Sequence, residues 1–238
     1  MYRQTFGQEI ANTEATLRQF YTQFIAPGDL VFDIGANVGL YSEAFQSLGA
    51  KVVAVEPNPD CVAEIKRNTA RDSVMVVQAA VSDHVGQGML MLPDRASWGS
   101  MSAEWIEKAQ SSERFRGAAW SRQIAVPTTT IEKLQKDYGR PRFIKVDVEG
   151  YEVKALAGMS EQPEFLSFEF NTENMGMVSQ CLDRLSPNSS FNFVMGAPPA
   201  RLELAEWVNR KEIEGILGKI TVLYFGDVMV KAPSKPAL

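Results

Sequence analysis

A chain of 238 residues, 45% of them hydrophobic, can bury one sizeable core, so residues 1–238 read as a single domain rather than two. A net charge of −5 argues against a dedicated nucleic-acid binder, which would need a basic face. Cys61 and Cys181 belong to no Cys-x-x-Cys pair, which argues against a thiolate metal site and a disulfide framework and is consistent with a reducing compartment. The N-terminus, MYRQTFGQEIANTEATLRQF, lacks the apolar core of a signal peptide, and no apolar run approaches the ~20 residues of a membrane span. The expectation is a cytoplasmic protein with no membrane span.

In chain order, a first helix is predicted from Asn12 or Thr13, with Leu17, Phe20, Tyr21 and Phe24 forming one buried stripe. Leu30 to Ile34 is nearly all apolar, as in a parallel strand covered on both faces. A helix from Leu40 to Leu48 follows, capped by Gly49, then a strand from Lys51 to Glu56. Pro57-Asn58-Pro59 ends that strand, Asp60 is placed to cap a helix to about Asn68, and Val74 to Val81 reads as the third strand. From His84 to Thr130 no clean strand–helix unit appears; the segment 84–130 is expected to be an inserted hairpin or meander with a mobile cap, holding Trp98, Trp105 and Trp120. Regularity resumes with a helix from Thr130 to Tyr138, a strand from Arg142 to Val148 and a helix from Tyr151 to Met159. Phe165 to Phe170, Phe191 to Met195 and Thr221 to Lys231 read as further strands, and Met175 to Leu185 as a helix. Glu203 to Ile216 holds one or two helical turns, and the tail from Ala232 is expected to fray. The densest basic run, Lys133 to Lys145, reads as a solvated helix face. This alternation predicts an α/β fold with a doubly wound, mostly parallel sheet.

The turn after the first strand, Asp33-Ile34-Gly35-Ala36-Asn37-Val38-Gly39, carries the first chemistry. A pyrophosphate turn needs Gly-x-Gly-x-x-Gly, so that bare backbone approaches the phosphates. Asn37 stands where the second of those glycines would be, and the acid Asp33 just before the turn would repel phosphate and welcome a cation. A cationic adenosine cofactor, S-adenosylmethionine, fits this pattern, and an NAD-dependent oxidoreductase does not. Gly35 and Gly39 permit a tight turn, and Asp33 is placed to attract a methionine ammonium. Glu56, about 20 residues beyond the turn, is placed to bind a ribose diol. The candidate cofactor residues are Asp33, Gly35, Ala36, Asn37, Gly39, Glu56, Pro57, Val81 and Ser82. Ser82 or Asp83 would meet an adenine amine, with a turn or capping role as the alternative.

On the acceptor side, strand alternation places Lys145, Asp147 and Glu149 on one side of a strand end. Acids in so apolar a strand are costly unless paired or used, so Asp147 and Glu149 read as functional and Lys145 as a structural ion-pair partner. Glu169, at the next strand end, is a third candidate for orienting a hydroxyl or acting as general base. His84, the only histidine, sits in a polar turn and reads as an exposed residue rather than a base.

Together, Asp33-Ile34-Gly35-Ala36-Asn37-Val38-Gly39, Val55-Glu56-Pro57-Asn58-Pro59 and Ile144-Lys145-Val146-Asp147-Val148-Glu149-Gly150-Tyr151-Glu152 resemble the FkbM-type family of class I methyltransferases. Ala80-Val81-Ser82-Asp83 and the Glu169 strand fit the same pattern, so the resemblance runs roughly from Leu30 to Asn171. It implies a seven-stranded, Rossmann-like class I fold and O-methylation of a hydroxyl, commonly on a sugar or polyketide. By position, Asp33, Gly35, Asn37 and Glu56 match the family's cofactor motif, and Asp147 and Glu149 its signature acids.

The expected function is S-adenosylmethionine-dependent O-methylation of a small hydroxylated acceptor: a sugar, glycolipid or secondary metabolite. The catalytic candidates are Asp147, Glu149 and Glu169. A divalent cation on these acids is conceivable but not expected, because no ligand cluster stands out by spacing. A methyltransferase for RNA or protein nitrogen is the enzymatic alternative; Asp147-Val148-Glu149-Gly150 lacks the prolines of a base-amino site. A catalytically silent cofactor-binding scaffold is the other. Trp98, Trp105 and Trp120 would either stack on an acceptor or form a satellite core.

Overall fold

The structure, a computed structural model, describes residues 7–94, 99–111, 120–220 and 225–233. Trp98 and the residues from Thr221 at the expected start of the last strand lie outside them. The elements are α1 (Gly7–Tyr21), β1 (Leu30–Ile34), α2 (Leu40–Ser47), β2 (Lys51–Val55), α3 (Pro59–Asn68), β3 (Val74–Val77), β4 (Ala80–Val81), β5 (Gly86–Leu92), α4 (Ala103–Ser111) and β6 (Arg122–Thr129). They continue with α5 (Ile131–Tyr138), β7 (Phe143–Val146), α6 (Glu152–Ala157), β8 (Phe165–Asn171), α7 (Met175–Leu182), β9 (Ser190–Met195), α8 (Arg210–Leu217) and β10 (Phe225–Lys231). A 3₁₀ turn, Thr172–Asn174, joins β8 to α7.

Seven strands form one sheet in the order β3-β2-β1-β7-β8-β10-β9. β1 pairs in parallel with β2 and β7, and β7 with β8, whereas β10 runs antiparallel to β8 and β9. This is the mostly parallel, doubly wound α/β arrangement expected. Successive strand residues point to opposite faces, so each strand feeds two cores. Val31, Phe143, Phe165 and Met229 pack with Leu17, Tyr21 and Phe45 of α1 and α2. Phe32, Ile144, Leu166 and Val228 pack with Ile131, Leu156, Val178 and Ile213 of α5 to α8. Tyr21 anchors the first core through edge-on contacts with Phe45 at 4.9 Å and Phe143 at 5.5 Å between ring centroids.

Several boundaries differ from the sequence expectation. Helix α1 begins at Gly7, ahead of the Asn12–Thr13 start. The cap of α3 is Asn58, whose side chain accepts from the Asp60 N–H, so Asp60 is the capped residue and not the cap. The expected third strand is split: β3 ends at Val77, and Ala80–Val81 leaves to pair with Thr128–Thr129. The segment after it builds a second, three-stranded sheet, β4-β6-β5, in which β5 and β6 pair antiparallel with α4 lying between them in sequence. Strand β7 stops at Val146 rather than Val148, because the Val148 N–H donates to the Glu152 carboxylate instead of to a neighbouring strand, and Glu149 then turns with a left-handed φ of 53°. Helix α6 accordingly starts one residue late, at Glu152. Among the described residues, no helix is long and apolar enough to cross a membrane.

Candidate active site

A cleft opens at the carboxyl ends of β1, β2 and β7, where ligands of open α/β sheets bind. A first wall of its lining is Gly35, Asn37, Glu56 and Pro57, from the ends of β1 and β2, and a second is Asp147, Glu149 and Tyr151, after β7. Val81, Leu90 and Met101 reach in from the small sheet and the turn that follows it.

The first wall is held by its own backbone. Asn37 takes a left-handed φ of 50°, which asparagine tolerates better than most residues. It thus supplies the turn that a second glycine would supply in a dinucleotide site. Its N–H donates to Glu56 Oε2 at 2.9 Å, and the Asn58 N–H donates to Glu56 Oε1 at 2.8 Å. Burial pushes the Glu56 carboxyl up to about 7, against the opposing pull of those two N–H donors. Each oxygen keeps lone-pair capacity for a ligand hydroxyl.

The second wall is a loop tied down from three sides. The Glu152 carboxylate, fully buried, accepts from Val148 N–H at 3.0 Å and Gly150 N–H at 3.2 Å through one oxygen, Oε1. Burial raises its carboxyl to about 7. From the inserted segment, the Ser100 hydroxyl donates to the Glu149 carbonyl at 2.6 Å. Trp105 covers Gly150 so closely that a Cβ there would sit 2.3 Å from the indole. Asp147 itself is partly exposed and pairs with Lys145 at 2.7 Å.

The remaining candidates lie around the cleft and not in its lining. Asp33 is buried below the turn, where it accepts from the Ser42 hydroxyl and stands beside Lys145 in register. Burial raises its carboxyl despite Lys145 and Ser42. Ala36 and Gly39 shape the back of the turn; the Gly39 N–H donates to the Ala36 carbonyl at 2.8 Å. Ser82 is buried, with its hydroxyl on Asp83, and Asp83 also binds His84 at 2.7 Å and Lys154 at 2.8 Å. His84 is exposed in that surface network. Glu169 is buried on β8, paired in register with Asp227 of β10. Burial pushes Asp227 up to about 6, with Lys145 opposing.

Asp147 and Glu149 both line the cleft, but the strand ends at Val146 and Glu149 takes a left-handed φ, so the turn and not strand alternation places Glu149 there. The run Lys133 to Lys145 divides: Lys133 and Lys136 make exposed helical pairs with Asp137 and Glu132, whereas Lys145 is buried. Trp105 and Trp120 are both buried and meet edge-on at 5.7 Å, which is the satellite core. Leu90, Met101 and Tyr151 line the cleft without having been singled out; Tyr151 stood inside the Asp147–Glu152 segment, which was the available signal. Among the described residues, no group of three or more His, Cys, Asp or Glu is arranged to hold a metal ion.

The family profile described as the methyltransferase FkbM domain matches residues 33–189, and the chain belongs to that family. A hexuronic acid methyltransferase, AglP, of Haloferax volcanii is 27% identical over 142 residues, covering 59% of this chain and 54% of that protein. The 31-O-demethyl-FK506 methyltransferase FkbM of Streptomyces tacrolimicus is 40% identical over 75 residues, 29% of each chain. The chain thus spans about half or less of these two relatives' lengths. A precorrin-6Y C5,15-methyltransferase structure from Geobacter metallireducens aligns with a TM-score of 0.45 at 12% identity, over 94% of this chain and 87% of that one.

Proposed function

We propose that this protein is an S-adenosylmethionine-dependent O-methyltransferase acting on a hydroxyl of a sugar, glycolipid or small secondary metabolite. The observation that carries this reading is the cleft whose lining joins two chemically different parts: a glycine turn with Glu56, and a loop that bears Asp147 and Glu149. The names of the two relatives, one acting on a hexuronic acid and one on an O-demethylated metabolite, support the acceptor class.

The residues present fit the cofactor. Gly35 lines the cleft with backbone alone, and its turn packs so tightly on the Asp147 carbonyl that no side chain fits there. Glu56, Asn37 and Pro57 would hold the adenosine end, with Glu56 accepting from ribose hydroxyls. Val81 supplies an apolar surface for the base, and Asp33 acts from beneath the turn. When bound, S-adenosylmethionine supplies an electrophilic methyl group on sulfur.

The chain's own part is orientation and proton handling, which dominate such displacements. Asp147 and Glu149, on the second wall, orient the acceptor hydroxyl, and Asp147 takes its proton. Glu169, buried on β8 one strand further along, is the third carboxyl assigned to this rim. The test is labelled-methyl transfer to a panel of sugars, glycolipids and hydroxylated metabolites. Product from one acceptor, reduced about 100-fold or more in Asp147→Asn, is the expected result. Undiminished transfer in both Asp147→Asn and Glu169→Gln would remove the carboxylates from the mechanism.

A further inference from the structure

We infer that Lys145 is a positioning residue that holds the Asp147 carboxylate in its acceptor-facing orientation. This rests on the reading of Asp147 given above. Lys145 sits in the centre of the sheet, on β7 between Asp33 of β1 and Ser167 of β8 in register. Its side chain is 2% exposed, yet it carries an ammonium. That ammonium reaches along the strand to the side chain two residues on, Asp147, with Nζ–Oδ2 at 2.7 Å. Asp147 is 31% exposed and lines the cleft, so the pair joins the core to the site.

The ammonium is held on a second side. Nζ stands 4.2 Å from the centre of the Tyr41 ring on α2, a cation–π contact in a dry setting. Burial opposes the charge on Lys145, but Asp147, Asp227, Tyr41 and Asp33 outweigh it. Fixed by strand, ring and carboxylates, Lys145 has one place for its charge, and Asp147 Oδ2 is bound to it. Among the described residues, Oδ1 has no hydrogen-bond partner, which leaves it for a ligand on the cleft side.

Stability alone does not account for this lysine. Buried ion pairs are often replaced by apolar side chains with neutral or favourable effect. What an apolar residue could not do is choose the rotamer of a half-exposed aspartate. Small displacements of an orienting group reduce rate strongly, which gives the pair its value at this site.

A double-mutant cycle on methyl transfer tests the inference, with S-adenosylhomocysteine affinity measured alongside. Lys145→Met is expected to lower kcat about 10-fold or more, with S-adenosylhomocysteine affinity unchanged within about 3-fold. In the Asp147→Asn background the same change is expected to have an effect of less than about 2-fold, since its target is already gone. Should Lys145→Met fail to fold, the cycle is run in Asp227→Asn, which removes a buried acid left without its cation. Additive losses would overturn the inference and assign Lys145 to stability alone. Full activity in Asp147→Asn would overturn the reading of Asp147 and the inference with it, whereas a large Asp147→Asn loss joined to additivity overturns the inference alone.

Discussion

A Cβ on Gly35 would lie 1.7 Å from the carbonyl oxygen of Asp147, so the turn after β1 and the loop after β7 touch through bare backbone. Gly35 also holds a φ of 80°, which an L side chain rarely adopts. Gly35→Ala therefore combines a clash with backbone strain. It is expected to cost at least about 2 kcal/mol of stability and to spread the two walls apart. Thermal melting and S-adenosylhomocysteine titration check this; a variant with native melting temperature and native affinity would contradict the close approach.

Glu56 gives the cofactor side a pH dependence. Its carboxyl titrates near 7 in the folded protein, so it is mostly protonated at pH 6 and mostly ionised at pH 8. A carboxylate accepts from ribose hydroxyls more strongly than a carboxyl, so S-adenosylhomocysteine affinity is expected to rise about tenfold from pH 6 to pH 8. Glu56→Gln should bind weakly and flatten the profile. Calorimetry across that interval reads both outcomes.

Glu152 gives the fold itself a pH dependence of definite sign. Its folded value, about 7, lies above the ordinary 4.5. The native state therefore binds more protons through that window, and stability falls as pH climbs from about 4.5 to 7. The loss is complete above the folded value and amounts to about 3 kcal/mol at most. Glu152→Gln keeps a carbonyl oxygen for the Val148 and Gly150 N–H groups and removes the titration. Urea midpoints that fall between pH 5 and pH 8 in the wild type, and fall less in the variant, are expected. Glu152→Ala should lose the loop at either pH.

Trp105 is a structural residue on this geometry. It is buried against Trp120 and over Gly150. Trp105→Ala is expected to cost about 3–5 kcal/mol, in the range of large core truncations. Acceptor KM in the folded fraction should change little. A large KM effect with unchanged melting would return Trp105 to the acceptor site.

The central strands were legible because two-sided burial writes itself as short apolar runs closed by glycine or proline. Leu30 to Ile34, Lys51 to Val55 and Phe143 to Val146 are short apolar runs of this kind, and the rim residues Glu56 and Asp147 directly follow the second and third. The small sheet was not legible. β4 has two residues, β5 opens with Gly86 and Gly88, and β6 contains Pro127. Pro127 is tolerated because β4 pairs only with Thr128 and Thr129, so no partner needs its missing N–H. The loop after β7 departs from the sequence expectation for a different reason. Alternation assumes an unbroken strand, and the turn at Glu149 is set by Glu152, Ser100 and Trp105, two of which lie some fifty residues away. The burial of Lys145 was equally distant from its sequence neighbours, since Tyr41 and Asp227 come from other parts of the chain.

The pairing of Ala80–Val81 with Thr128–Thr129 has a consequence for how such a chain can vary. The chain leaves and re-enters the main fold on adjacent strands, roughly 4.8 Å apart. Everything between those points is a closed excursion whose length can change without moving the two ends. Its content is less free, because Ser100 and Trp105 sit on the backbone of Glu149 and Gly150. An exchanged segment that keeps a hydroxyl and a flat ring at those two places would graft onto this framework with the loop after β7 held, while the lining given by Leu90 and Met101 changes with the exchange. One that does not would have to bring its own loop with it.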